Sequence, residues 1–220
     1  MIDAVIFDMD GLLIDSEPFW QLEEYNAFAK KGIILTPEMQ QETYGLGTDE
    51  VIMHWYNYQP WDNLDPDEIK REVFSGMKAH LFHEGKAKNG VDRALQYFID
   101  KNLPVGLASS SPTELIETVM EVLGLGNIIK VAVSSEDTGF GKPHPSVYLE
   151  AARLLGAEPA RCLAFEDSFN GLLAAKAARM KTVIIPEPPV DQPRYSIADI
   201  RLNSLDEFGD RQFEFINSLI

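Results

Sequence analysis

Four short segments carry residues able to do polar chemistry: Asp8-Met9-Asp10-Gly11, Ser109-Ser110-Ser111, Lys142-Pro143 and Glu166-Asp167-Ser168. Taken singly, each has an ordinary structural use. An Asp-x-Asp followed by glycine suits a solvated turn, serines ahead of Pro112 suit a helix start, and acids ahead of a helix offset its dipole. Together they form a phosphoryl-transfer set. Asp8 can attack phosphorus to give an aspartyl-phosphate, and Asp10 can protonate the leaving alcohol and then take a proton from water. Hydroxyls and backbone N–H groups at Ser109 and Ser110 suit phosphate oxygens. Lys142, between Gly141 and Pro143 on a short loop, is a positioned cation. Asp8, Glu166 and Asp167 beside a phosphate dianion of about −2 outnumber that one lysine. A divalent cation with oxygen ligands offsets the excess, and the lack of clustered His or Cys favours Mg2+ over zinc.

These segments share one chemistry only if the fold brings them to one place. An apolar run precedes each: Ala4 to Phe7, Pro104 to Ala108, Lys130 to Val133 and Arg161 to Phe165. A further run covers Lys181 to Ile185, and a weaker one Asp199 to Leu202. Near-continuous apolar runs of this length predict central parallel strands covered on both faces. Helical segments are predicted over Pro112 to Leu123, Pro145 to Leu155, Ser168 to Ala178 and Ser204 to Ser218. Alternating strands and helices predict an α/β fold with a parallel sheet, whose ligand crevice lies at the carboxyl ends of the strands. One stretch breaks the alternation. Residues 16–83 read as helix after helix, with Ser16 as an N-cap, Gly32 closing the first helix and Asp65-Pro66-Asp67-Glu68 opening a long one. The expected organisation is a catalytic core over 1–15 and 84–220 and a helical cap over 16–83, hinged near Gly11 to Ser16 and His83 to Asn89.

Composition narrows the partners. The chain has 220 residues, 45% hydrophobic and 25% charged, which suffices for a sizeable core without disulfides. A net charge of −16 disfavours nucleic acid and anionic membranes as partners. Cys162, the single cysteine, fits a reducing compartment. The N-terminus has no basic region before its apolar run, and no 18-residue apolar stretch occurs, so a cytoplasmic protein is expected. It is read as a monomer.

The four segments and the helical insertion resemble the haloacid dehalogenase superfamily, in its phosphatase branch. Within it, Phe7 to Pro18, Trp55 to Trp61, Lys142 to Pro145 and Glu166 to Gly171 are similar to phosphatases of sugar and polyol phosphates, of the hexitol-phosphatase and 2-deoxyglucose-6-phosphate-phosphatase kind. The resemblance implies a Rossmann-like core with a helical cap, with Asp8 as nucleophile and Asp10 as acid/base. It implies Mg2+ held by Asp8, the Asp10 carbonyl and Asp167 with Glu166 close by, and phosphate held by Ser109, Ser110 and Lys142. The substrate implied is a small phosphorylated sugar or polyol. The neighbouring β-phosphoglucomutase-like pattern has a His on the first cap helix, where this chain has Trp20, and an Arg after the cap glycine, where it has Thr48. Hydrolysis is therefore expected over mutation of a sugar phosphate. A phosphoacceptor signalling module also uses strand-end acids, a hydroxyl and a lysine, but has no insertion between its first two strands.

Other conspicuous residues are expected to be structural. Cys162 lies inside a strand, and His54, His80 and His83 fit no metal spacing. His144, between two prolines, is given a supporting role at most. Trp55, Tyr56, Tyr58 and Trp61 read as cap core, whereas Trp20 near the hinge is placed to face substrate.

Overall fold

The computed structural model describes residues 1–186 and 193–220. Six strands form one sheet: β1 (Ala4–Phe7), β2 (Val105–Ser109), β3 (Ile129–Ser134), β4 (Cys162–Glu166), β5 (Lys181–Ile184) and β6 (Ile200–Arg201). Their spatial order is β3-β2-β1-β4-β5-β6, and every neighbouring pair is parallel. The chain starts in the middle of the sheet and winds outward to both sides, which leaves a crevice beyond the carboxyl end of β1. Phe7 is in register with Leu107 and Phe165, so the residues that follow each of them emerge along one edge.

Both faces of the sheet are covered, and the alternation along β1 shows why its sequence is apolar throughout. Val5 and Phe7 join a layer of large side chains, in which Phe7 stacks on Phe165 at 4.7 Å between centroids. Ala4 and Ile6 face a layer rich in small residues, with Ala108, Ala151, Cys162, Ala164 and Ala174. Cys162 is thus core filler, as its strand position suggested, and burial pushes its thiol up to about 12.

Ten α-helices accompany the sheet among the described residues. Four follow β1: α1 (Glu17–Lys30), α2 (Pro37–Glu42), α3 (Thr48–Tyr58) and α4 (Pro66–Glu84). The others are α5 (Val91–Asp100), α6 (Thr113–Val122), α7 (Ser135–Thr138), α8 (Ser146–Leu154), α9 (Phe169–Ala177) and α10 (Asp210–Ser218). The stretch expected to be purely helical holds no strand. Asp65 caps α4 by accepting from the backbone N–H groups of Asp67 and Glu68. Trp55 is fully buried, and Tyr56 and Phe28 meet Trp61 edge-on, so these rings are packing, as expected; Tyr58 was expected in the same core but is 66% exposed, touching Trp55 only by its edge. The two connections to the helical insertion lie side by side. Asp15 N donates to Lys86 O and Lys88 N donates to Leu13 O, each at 3.0 Å.

Several details differ from the sequence expectations: β3 lies at the sheet edge with Lys130 and Ala132 exposed, rather than centrally and covered on both faces, and the short helix α7 was not expected. Helix α5 was not anticipated, although Val91, Ala94, Leu95 and Phe98 recur on one buried face at helical spacing. The helix expected over Ser204 to Ser218 is split into a 3-10 turn, Leu205–Glu207, and α10, because extended backbone at Phe208 and Gly209 lets Phe208 enter the core beside Phe98 and Phe165. Ser16 precedes α1 but makes no side-chain cap; its hydroxyl serves Asp10 instead.

Candidate active site

The sheet edge gathers all four segments. Asp8 and Asp10 follow β1, Ser109 ends β2 with Ser110 and Ser111 after it, Lys142 lies between α7 and α8, and Glu166 ends β4 with Asp167 next. Asp8, Asp10, Ser109, Ser110, Lys142 and Asp167 line one solvent-open cleft. Glu166 is not part of the lining; it is fully buried beneath it.

Two glycines make the convergence possible. Gly11 has φ +72°, a left-handed conformation that disfavours a side chain, and a Cβ there would sit 2.3 Å from Asp167 Oδ2. A Cβ on Gly171 would sit 1.9 Å from Glu166 Oε1. Helix α9 can therefore start directly over the Glu166 carboxylate only with glycine at that position. Ser168 caps the same helix by accepting from Gly171 N at 3.0 Å.

The lower half of the site is a buried charge cluster. Lys142 Nζ donates to Asp8 and, at 2.6 Å, to Glu166. Glu166 also accepts from the Tyr148 hydroxyl on α8 and from Ser168 Oγ at 3.2 Å. Ligand oxygens of Asp8, Glu166 and Asp167 lie within 4.8 Å of one another. Burial, followed by the neighbouring Glu166 and Asp167 charges, raises the Asp8 carboxyl well above its ordinary range, although Lys142 pulls the other way. Burial and Glu166 push Asp167 up to about 8, against the pull of a hydrogen bond from Tyr44. Burial pulls Lys142 down, but the Asp8 and Glu166 carboxylates outweigh it and hold the ammonium above its usual range. Three buried carboxylates facing one ammonium need further positive charge. An all-oxygen donor set of this kind fits a hard divalent cation. The Asp10 carboxylate is not part of that set.

Asp10 sits in different surroundings, two residues along the same chain. Its Oδ1 accepts from Ser16 Oγ at 2.6 Å and from Trp20 Nε1 at 2.9 Å, and its Oδ2 accepts from Ser111 Oγ at 2.6 Å. Ser109 and Ser110 are arranged by backbone bonds: Ser111 N donates to Ser109 Oγ, and Lys142 N donates to Ser110 Oγ, both at 3.0 Å. The two neighbouring carboxylates thus differ in kind, one against a buried cation and the other among neutral donors.

Four participants escaped the sequence reading. In the sequence Ser111 is one of a serine run and Ser16 reads as a cap; in the fold both donate to Asp10. Tyr44, from the loop after α2, donates its hydroxyl to Asp167 Oδ2 at 2.6 Å, and Tyr148 anchors Glu166 from below. Nothing local distinguishes these tyrosines from ordinary core residues. Trp20 does face the cleft, as expected. His144 stacks on Phe140 and accepts from Ser146 N, outside the cleft lining.

The chain is similar to known hydrolases in sequence and in fold. Residues 2–179 match the family model of the haloacid dehalogenase-like hydrolases. The chain is 39% identical over 206 residues to hexitol phosphatase B of Escherichia coli (strain K12), covering 93% of each chain. It is 30% identical over 186 residues to a phosphorylated carbohydrates phosphatase of Thermotoga maritima, covering 83% of this chain and 84% of that one. Among solved structures it is similar to CbbY of Rhodobacter sphaeroides in complex with phosphate, with a TM-score of 0.88, 25% identity and coverage of 99% and 100%.

Proposed function

The chain belongs to the haloacid dehalogenase-like hydrolases and is a phosphoric monoester hydrolase among them, and we propose that it hydrolyses small sugar or polyol phosphates through an aspartyl-phosphate on Asp8. The observation that carries this reading is the pair of unlike carboxylates in one cleft: Asp8 against Lys142, and Asp10 held by three neutral donors. Carboxylates in contrasting environments take contrasting roles.

Asp8 attacks phosphorus while Ser109, Ser110 and Lys142 hold the non-bridging oxygens. Asp10 gives its proton to the bridging oxygen as the P–O bond breaks, and the alcohol leaves. Asp10, now a carboxylate, takes a proton from water as that water attacks the phosphorus. The Asp8–phosphorus bond breaks, which returns Asp8 as a carboxylate and releases inorganic phosphate. Asp8, Asp167 and the Asp10 carbonyl would hold Mg2+, with Glu166 beneath them. When bound, the ion supplies positive charge to a phosphoryl group that the carboxylates would otherwise repel. Glu166 keeps Lys142 in place from below, and Tyr148 keeps Glu166 in place.

The helical insertion, residues 16–83, acts as the cap over the core formed by 1–15 and 84–220. The protein is read as a cytoplasmic monomer; no helix among the described residues is long and apolar enough to cross a membrane. Thr48 and Trp20 line the cleft where the mutase pattern has Arg and His, and Lys142 is the only cation in the lining among the described residues. That composition favours hydrolysis over phosphate relocation. The insertion between β1 and β2 sets the chain apart from a phosphoacceptor signalling module. The test is a phosphate-release screen over hexose, pentose and polyol phosphates with Mg2+. Turnover of several such esters is expected, and failure to release phosphate from any of them overturns the reading.

A further inference from the structure

The wall of the cleft facing the strand ends comes from α1 and from the stretch Gln40 to Thr48, which runs from α2 to the start of α3. Glu17, Trp20, Gln21 and Glu24 lie at helical spacing on one side of α1, and all four line the cleft. The hydrogen bonds of this wall are lopsided. Each of its side-chain donor groups except Thr48 already makes a bond: Trp20 Nε1 with Asp10, and the Tyr44 hydroxyl with Asp167. The Gln21 amide nitrogen donates to Glu17 Oε1 at 3.1 Å, the Gln40 amide nitrogen to Gln21 O at 2.7 Å, and Thr43 Oγ1 to Gln40 O at 3.3 Å.

What remains on this wall, besides a second N–H on each of the Gln21 and Gln40 amides, is a set of unpartnered acceptors. The Glu24 carboxylate has no hydrogen bond or ion pair among the described residues, and the side-chain oxygens of Gln21 and Gln40 accept none. Thr48 alone offers a hydroxyl free of any such bond. A partly buried carboxylate without donors loses solvation and regains nothing from the protein. A ligand rich in O–H groups relieves that cost, whereas one bearing a second phosphate or a carboxylate adds repulsion.

We propose that Glu24 is the specificity-determining residue of this cleft, accepting hydrogen bonds from the hydroxyls of a neutral polyol chain whose phosphate sits at Asp8. The Gln21 and Gln40 side-chain oxygens are secondary acceptors. The substrate class is then a monophosphate ester with an uncharged, polyhydroxylated remainder, and esters with a second anionic group are turned away. This inference rests on the phosphatase reading above and narrows it.

The experiment compares wild type, Glu24→Gln and Glu24→Ala at pH 8, where the Glu24 carboxyl is ionised, with Mg2+ on glucitol 6-phosphate, 6-phosphogluconate and p-nitrophenyl phosphate. Wild type is expected to prefer glucitol 6-phosphate to 6-phosphogluconate, which differs in carrying a carboxylate. A hydrogen bond to a charged group is worth enough that Glu24→Ala should lower kcat/KM for glucitol 6-phosphate, relative to p-nitrophenyl phosphate, by about 10-fold to 100-fold. The loss should fall mainly on KM. Glu24→Gln keeps one acceptor oxygen and should lie between. In both variants the discrimination against 6-phosphogluconate should shrink. The proposal is overturned if the ratios stay unchanged, or if all three esters decline in parallel, which is the mark of a structural role. Wild type that hydrolyses p-nitrophenyl phosphate but no sugar or polyol ester instead overturns the proposed function itself.

Discussion

The indole Nε1 of Trp20 lies 2.9 Å from Asp10 Oδ1, so a side chain of the first inserted helix holds a carboxylate that belongs to the end of β1. That bond joins the wall that meets the substrate to the group proposed to move its proton. Trp20→Phe keeps an aromatic ring beside Phe74 but removes the donor. One of three donors to Asp10 is lost, so kcat for a sugar phosphate should fall about 10-fold, in line with one hydrogen bond to a charged group. Steady-state rates check this; an unchanged kcat would show that Ser16 and Ser111 suffice to hold Asp10.

The two aspartates should separate by leaving group. Asp8→Asn should abolish turnover of every ester, because an amide is a poor nucleophile toward phosphorus. Asp10→Asn should cost about 10²–10⁴ on alkyl phosphates, the usual range for lost acid–base catalysis. p-Nitrophenolate leaves without needing a proton, so its release should suffer less. Equal losses on both substrate types would remove Asp10 from the acid/base role.

How much of this site is legible in the sequence depends on whether a residue's partner lies along the chain or across the fold. The acids after β1 and β4 announce themselves because each follows an apolar run, and strand ends in a parallel sheet share an edge. Helix α5 carries an equally plain periodicity in Val91, Ala94, Leu95 and Phe98, without a polar motif beside it. Tyr44 and Tyr148 are different. Each meets its carboxylate through tertiary packing, Tyr44 across 123 residues of chain, and no local pattern marks such a bond. Ser16 shows a third case, in which a good capping residue is taken over by a stronger local acceptor, Asp10.

Metal dependence follows from the buried charges. Activity should require Mg2+, and chelation should stop turnover while leaving the fold intact, since the sheet core lies beneath the cluster rather than around it. Asp167→Ala removes one of the three clustered carboxylates and should raise the Mg2+ concentration needed for half-maximal rate. Calcium should bind but support little turnover, because its larger and looser shell does not hold ligands in tight octahedral geometry. Full activity after exhaustive chelation would contradict the charge argument.

Glu24 also gives a pH signature in folding stability, which is read without substrate. Burial pushes its carboxyl up from 4.5 to about 7. The folded chain therefore holds this proton more tightly than the unfolded chain. The corresponding stability is fully present below the unfolded value near 4.5 and is lost as pH rises through about 7. Glu24→Gln cannot ionise and should not show that loss. At pH 8 it should be more stable than wild type by about 1–2 kcal/mol, a figure reduced for water at the cleft mouth, and at pH 4.5 the two should differ little. Denaturant titrations at both pH values measure the difference, and an equal gap at each would remove Glu24 as its source.

The last prediction separates hydrolysis from phosphate relocation. Both begin with the same aspartyl-phosphate on Asp8, so the sheet edge cannot distinguish them. A mutase must hold a bisphosphate while it reorients, and the distal dianion then needs a cation in the cap, for which Arg supplies strong paired hydrogen bonds. The wall facing the strand ends here presents Glu17, Glu24, Gln21 and Gln40, and Thr48 stands where the mutase pattern calls for Arg. Lys78 of the insertion and Lys86 and Lys88 at its exit do not line the cleft. Lys78 faces Glu114 at 3.8 Å, Lys88 faces Asp15 at 3.5 Å, and the backbone of Lys86 pairs with Asp15. A second phosphate would meet carboxylates where it needs a cation. Incubation with glucose 1-phosphate or glucose 6-phosphate and a glucose 1,6-bisphosphate primer should therefore release inorganic phosphate with little interconversion of the two esters. Isomerised ester accumulating faster than inorganic phosphate would show that the wall rearranges to supply a cation, and the hydrolytic reading would fall with it.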